Sequence, residues 1–274
     1  MRLLTAFYLL AVIFWSRAVP ALEISWTNNL LTVSDGRLPG GKLEVWYLEA
    51  FCRSGAWGRD WRNTTLPHRT TLTSADPQHH HLKFLTTVEP GIDVLHEVDA
   101  AKDELDLHFQ LTNKGHQRVD LQWFEPACIR VAAFTGREQS NYIGRSFIFT
   151  ERGLTPLDQL RRTTNALYLG GQVYLPSNVD ARDANPRPIC IDHPINGLIG
   201  CLSGDSRWIL ATASDRTHEL FEGVYVCLHS DPRVDGLEPG ETKHLRSKIY
   251  FVPNDPSALL KRYKKDFPDW QKVW

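Results

Sequence analysis

The polar residues best able to do chemistry gather in the C-terminal third of the chain. His218, Glu219 and Glu222 precede a short apolar run, and His229, Asp231 and Arg233 follow it. Imidazole and carboxylate groups in that mixture suit general acid/base work or part of an oxygen-and-nitrogen metal site. Read as one straight strand, Gly223 to His229 spans six steps of ~3.3 Å, which sets Glu222 and His229 roughly 20 Å apart. Only one end can then hold the site. By alternation Tyr225, Cys227 and His229 share one face, opposite Val224, Val226 and Leu228. The apolar set belongs in the core, so the expectation favours His229 with Asp231 over Glu222.

Two further carboxylates interrupt apolar surroundings. Glu49 is in register with Val45, Tyr47 and Phe51, where a charge is costly unless it is paired or opens onto a cleft. His96 stands in the same relation to Val94 and Val98, and Glu125 lies between Phe124 and Pro126. Each also suits a satisfied core position, because buried polar groups ordinarily find a partner. Trp46, Trp57, Trp61 and Trp123 lie near Arg53, Arg59 and Arg62. Flat rings beside fixed hydrogen-bond donors are what a pyranose needs, since its C–H faces stack and its hydroxyls want partners. The expected binding set is Trp46, Glu49, Trp61, Trp123, Glu125 and Arg145, with a carbohydrate as the partner.

Several chemistries are excluded. The sequence has no Gly-x-Ser-x-Gly elbow, P-loop, dinucleotide glycine fingerprint or His-Glu-x-x-His helix. No cofactor is expected. A formal net charge of −1 leaves no electrostatic footprint for nucleic acid. Five cysteines (Cys52, Cys128, Cys190, Cys201, Cys227) show no CxxC or finger spacing, so no structural metal is expected. All lie in apolar settings that suit burial, and Cys190 with Cys201 is the first pair to test for a disulfide.

These groups must be positioned by β-structure. Period-two alternation recurs throughout, most clearly where Leu105, Leu107, Phe109 and Leu111 alternate with Asp106, His108 and Gln110. Further strands are expected over Leu43–Phe51, Ile92–Val98, Arg118–Val131, Trp208–Ala213, Gly223–His229 and Thr242–Val252. His79, His80 and His81 read as a solvated turn, and 151–194 reads as long loops. One helix is expected after Asp255, with Pro256 in its first turn and Leu259, Leu260, Tyr263 and Phe267 on one side. With 274 residues, 42% of them hydrophobic, the chain can bury a generous core. The expected architecture is a large all-β antiparallel sandwich with one short C-terminal helix.

The N-terminus reads as an address. Arg2 precedes an apolar stretch from Leu3 to Trp15, and small residues follow up to Ala21. That is the layout of a secretory signal peptide over residues 1–21, cut after Ala18 or Ala21. The apolar stretch falls short of the ~20 residues a membrane span needs. A secreted or periplasmic protein, with one sandwich domain over 22–274 and no membrane association after cleavage, is expected.

The run Glu104-Leu105-Asp106-Leu107-His108-Phe109-Gln110-Leu111-Thr112-Asn113-Lys114-Gly115 resembles a strand-turn-strand segment of galactose mutarotase-like sandwiches. The closing Gly236-Leu237-Glu238-Pro239-Gly240-Glu241-Thr242 is similar to their last hairpin. The chain also resembles a group of exported planctomycete-type bacterial proteins. The matching stretches are Tyr47–Cys52, Asn185–Pro188, Gly197–Cys201 and Glu219–Val224. The mutarotase resemblance implies a His general acid and a late Glu general base acting on a sugar ring. His193-Pro194 resembles that family's His-Pro segment, which adds His193 to the catalytic candidates His229, Asp231 and Glu222. Here Ile195-Asn196-Gly197 follows in place of an aromatic-Asn-Leu pattern. Three functions stay open: a carbohydrate-active enzyme, a non-catalytic carbohydrate-binding module, and an interaction domain of the cell envelope. An acid and a base converging in one site would favour the first; an exposed aromatic strip without them would favour the second.

Overall fold

A computed structural model describes residues 21–137, 139–164 and 170–269, with 139–140 described by backbone alone. All of the expected leader but Ala21 lies outside these residues. The first half of the chain forms β1 (Glu23–Thr27), β2 (Leu30–Ser34), β3 (Lys42–Cys52), β4 (His68–Ala75), β5 (His81–Val88), β6 (Ile92–Ala100), β7 (Glu104–Asn113) and β8 (Trp123–Arg130). The second half forms β9 (Ser146–Thr150), β10 (Gly153–Pro156), β11 (Gln172–Tyr174), β12 (Ile199–Leu202), β13 (Trp208–Ser214), β14 (Thr217–Gly223), β15 (Cys227–Pro232) and β16 (Thr242–Pro253). Helices are α1 (Trp61–Thr64), α2 (Ala132–Thr135) and α3 (Pro256–Asp266).

Two antiparallel sheets result. One has seven strands in the order β1-β2-β3-β8-β15-β14-β11; the other has nine, β10-β9-β12-β13-β16-β7-β6-β5-β4. Their facing sides share a core in which Tyr47, Phe51, Phe124, Leu220 and Leu228 meet Phe84, Val98, Leu107 and Phe109. The protein is an antiparallel β-sandwich. α3 covers the outer face of the nine-stranded sheet, packing Leu259, Tyr263 and Phe267 on Phe147, Ile209 and Tyr250. Asp255 caps it by accepting from the amides of Ser257 and Ala258 at 3.0 Å.

Several expectations are corrected. The strand read over Gly223–His229 is a hairpin: β14 ends at Gly223, and Val226 takes a left-handed φ of 56° before β15 begins. The amide of Val226 closes the turn on the Gly223 carbonyl at 3.1 Å. The strand expected from Arg118 starts only at Trp123, because Val119 bridges to Leu237 instead. The β1–β2 hairpin escaped notice; its turn residues Asn28 and Asn29 both take positive φ, as a two-residue primed turn requires. His81 opens β5 and hydrogen-bonds Asp99, leaving only His79 and His80 in the turn. Cys190 and Cys201 are not bridged, and all five cysteines are buried free thiols.

Candidate functional site

The outer face of the seven-stranded sheet, turned away from the core, carries the polar cluster. Its placement begins with a bulge in β3. Tyr47 pairs with Ala127 and Ala50 with Glu125, so Leu48 and Glu49 together oppose the single residue Pro126. Pro126 has no amide to contribute, which suits an interrupted ladder. Leu48 adopts a φ of 51° and enters the core, and Glu49 turns to the outer face. This corrects the expected register of Glu49 with Val45, Tyr47 and Phe51. Strict alternation fails where one strand holds an extra residue.

The β14–β15 hairpin supplies the other side. Phe221 pairs with His229 and Glu219 with Asp231, so all four share the outer face, while Leu220 and Leu228 face the core. His229 is 2% exposed and its ring meets Phe221 edge-on at 5.3 Å. Its Nε2 lies 3.4 Å from Cys227 Sγ and 3.9 Å from Glu49 Oε2, and its Nδ1 lies 3.8 Å from Asp231 Oδ1. Two loops roof the inner part. Asp183 ties them to the sheet: its carbonyl accepts from Trp123 Nε1 at 2.9 Å and its carboxylate from the Gly55 amide at 2.7 Å. Asn185 donates to Glu219 through its amide at 3.0 Å and to Glu125 through Nδ2 at 3.3 Å.

Hydrogen bonding is incomplete here. Glu49 Oε2, Asn185 Oδ1, His218 Nδ1, Glu219 Oε1, His229 Nδ1 and both Asp231 oxygens are buried without a hydrogen-bond partner among the described residues. Leaving such groups unmade costs stability, ~1–3 kcal/mol for each buried polar atom. Burial, then the Glu49 charge, raises the Glu125 carboxyl well above its usual range; burial, then Asp231, does the same to Glu219. Asp231 is pushed up to about 6, again first by burial. Burial opposes charge on His229, but the facing Cys227 and Asp231 raise its pKa overall. Cys227 is lowered to about 5, first by the Cys128 thiol donating to it.

Of the residues expected at a site, Glu49, Glu125, His229 and Asp231 are thus brought together. The others are placed differently. Glu222 points to the opposite face, where it binds Arg162 at 2.5 Å and accepts from Tyr142 at 2.9 Å. It and His229 sit on adjacent strands, not at the ends of one. His193 is exposed, hydrogen-bonded to the Leu175 carbonyl at 2.8 Å beside Glu151 and Arg152. Trp123 is fully buried and stacks on His218 at 5.5 Å, so neither of its faces is open to a ligand. Trp61 packs against Trp123 and Ala56 in the roof. Arg145 donates to the Ser203 carbonyl and Ser206 Oγ, both at 2.9 Å. Trp46 is 39% exposed on the outer face, paired with Cys128. Beyond the cluster, Tyr225 is 73% exposed and Arg130 lies over its ring at 5.3 Å. Glu219 and Cys227, which the sequence sets in the polar run and on the face of His229, join the cluster without having been named as site residues. Asn185 and Cys128 join it unexpectedly, and only contacts between segments remote in sequence reveal them.

Among solved structures the chain is similar to a galactose mutarotase-like protein from Lactobacillus casei, with a TM-score of 0.42 and 8% identity over 84% of this chain and 99% of that one. It is similar to a second galactose mutarotase-like protein, from Clostridium acetobutylicum, with a TM-score of 0.43 and 7% identity over 84% and 94%. A polysaccharide lyase structure matches 86% of this chain and 33% of its own, with a TM-score of 0.36 and 10% identity. No family model matches the sequence, and no curated protein matches it.

Proposed function

We propose that the outer face of the seven-stranded sheet binds a carbohydrate and transforms it by general acid/base chemistry at an anomeric centre. The observation that carries this is the pair Glu49–His229, set 3.9 Å apart on two strands with Asp231 behind the far ring nitrogen. Glu49 Oε2 would take the proton of the anomeric hydroxyl as His229 Nε2 gives one to the ring oxygen, opening the ring; the reverse transfers close it. Asp231 positions the imidazole. The two carboxyls of a glycosidase stand ~5–5.5 Å apart for retention and ~6.5–9.5 Å for inversion. A spacing of 3.9 Å suits two oxygens on one carbon better than a hydrolytic pair. Glu49, 29% exposed at its side chain, marks the rim; exposed Trp46 and Tyr225 offer stacking faces, with Arg130 as a donor.

Binding without turnover is the second reading, favoured by the near-complete burial of His229 and Asp231. A thermal-shift screen of mono- and oligosaccharides identifies the ligand, because binding to the native state raises apparent stability. NMR exchange between the anomers of any hit then separates the readings. Accelerated exchange lost in His229→Ala supports turnover; binding without acceleration leaves a binding module; no saccharide binding overturns both. An extracytoplasmic location belongs to the same proposal. Mass spectrometry of the native protein should find an N-terminus at Val19 or Leu22, and an intact Met1 would refute export.

A further inference from the structure

Cys227 and His229 are two residues apart on β15 and therefore share its outer face. The pairing of Cys227 with Arg130 and of Leu228 with Ile129 brings Cys128 of β8 beside them. The bulge in β3 delivers Glu49 from the next strand. One ligand atom each from Cys128, Cys227 and His229 lie within 4.8 Å of one another, and the same holds for Glu49, Glu125 and His229. His229 Nε2 belongs to both sets, 3.4 Å from Cys227 Sγ and 3.9 Å from Glu49 Oε2.

We propose that Cys128 Sγ, Cys227 Sγ and His229 Nε2 form a binding site for a thiophilic divalent cation, Zn²⁺ by its chemistry, with Glu49 Oε2 closing the tetrahedron. Around zinc, with bonds of ~2.3 Å to sulfur and ~2.0–2.2 Å to nitrogen and oxygen, neighbouring donors stand about 3.3–3.8 Å apart. The two spacings at Nε2 are close to that range before any ion draws the donors in. The orphaned atoms are a second, independent observation. Among the described residues Glu49 Oε2 is buried without a hydrogen-bond partner, and so are His229 Nδ1 and both oxygens of the Asp231 behind it. A carboxylate behind the distal nitrogen of a ligating histidine is the usual means of holding that ring toward its metal. Glu125 reaches the same imidazole as Glu49, and Arg130 lies two residues from Cys128 on the same face of β8. The ligands come from three adjacent strands, so no sequence spacing announces them.

A metal on Nε2 takes the place of the proton that His229 gives to the ring oxygen in the sugar reaction. This consequence alone rests on the carbohydrate reading: Zn²⁺ should inhibit any anomer exchange, and Cys128→Ser should relieve the inhibition.

The test of the site itself needs no sugar. Reduced, metal-free protein is titrated with Zn²⁺ and Co²⁺ and its metal content measured. One equivalent per chain is expected, with a thiolate-to-cobalt charge-transfer band in the near ultraviolet. Cys128→Ser and Cys227→Ser should each lose that band and bind at least 100-fold more weakly. Cys190→Ser, which alters a buried thiol outside the cluster, should retain both. X-ray absorption on the unaltered zinc protein guards against misfolded variants and should show two sulfurs at ~2.3 Å. Substoichiometric metal, a cobalt spectrum without the thiolate band, or a sulfur-free zinc shell would overturn the site. None of those results touches the sugar screen, so the two proposals fail separately.

Discussion

Two buried histidines stand on opposite sides of the seven-stranded sheet. His96, on β6, lies in the shared core, with Nδ1 hydrogen-bonded to Tyr47 Oη at 2.7 Å and Nε2 to Thr86 Oγ1 at 2.9 Å. Its ring stacks on Phe84 at 4.9 Å. His229 is as deeply buried, yet among the described residues its Nδ1 has no hydrogen-bond partner, and its neighbours are two thiols and a ring of carboxylates. Tyr47 and Glu49, two residues apart on β3, each serve a different one of the pair. A satisfied histidine holds a fold together. An unsatisfied one, kept among charges despite the cost, is held for a ligand or a proton.

The largest effect should come from acid. Burial lowers the His96 pKa to about 3, against an ordinary value of 6.5. A pKa depressed by folding gives stability that is complete above about 6.5 and drains away as pH falls toward about 3, at most about 5 kcal/mol. Urea unfolding across that range should show the slope in the native protein and a flatter one in His96→Phe; parallel slopes would dissolve the contrast. Next is His229→Ala, which should cut anomer exchange by about 10²–10⁴-fold. Its melting temperature should hold steady or rise, whereas a collapse would make His229 as structural as His96. Tyr47→Phe leaves His96 Nδ1 orphaned, and a loss of about 1–3 kcal/mol should appear in chemical unfolding. The smallest effect is expected of Trp46→Ala. Calorimetry should find carbohydrate affinity weakened by about 0.5–1.5 kcal/mol, with stability unchanged.

Where the rules of alternation and capping hold, the fold was legible before any coordinates. β7 shows this in its spacing of Leu105, Leu107, Phe109 and Leu111, and α3 in Asp255 and Pro256. The outer-face position of His229 follows from the same period. The hairpin beside it was hidden, because Val224-Tyr225-Val226 contains none of the usual turn formers and reads as strand. β4 was hidden for another reason: its edge position leaves most of His68–Ala75 at least partly exposed, so no apolar period marks it. The site was legible only in pieces. Glu49 was assigned the wrong face by one extra residue, and Cys128, Asn185 and Glu219 meet only through pairings remote in sequence.

The bulge in β3 also sets how this stretch can change. Four residues, Tyr47 to Ala50, answer three on β8, and that mismatch lets Leu48 face inward and Glu49 outward while Phe51 still points into the core. Removing any one of the four would restore even pairing and turn Phe51 toward the outer face. Side chains here can therefore be exchanged one at a time, but the count cannot. Over these few positions, variants of this chain should differ by substitution and hardly ever by length.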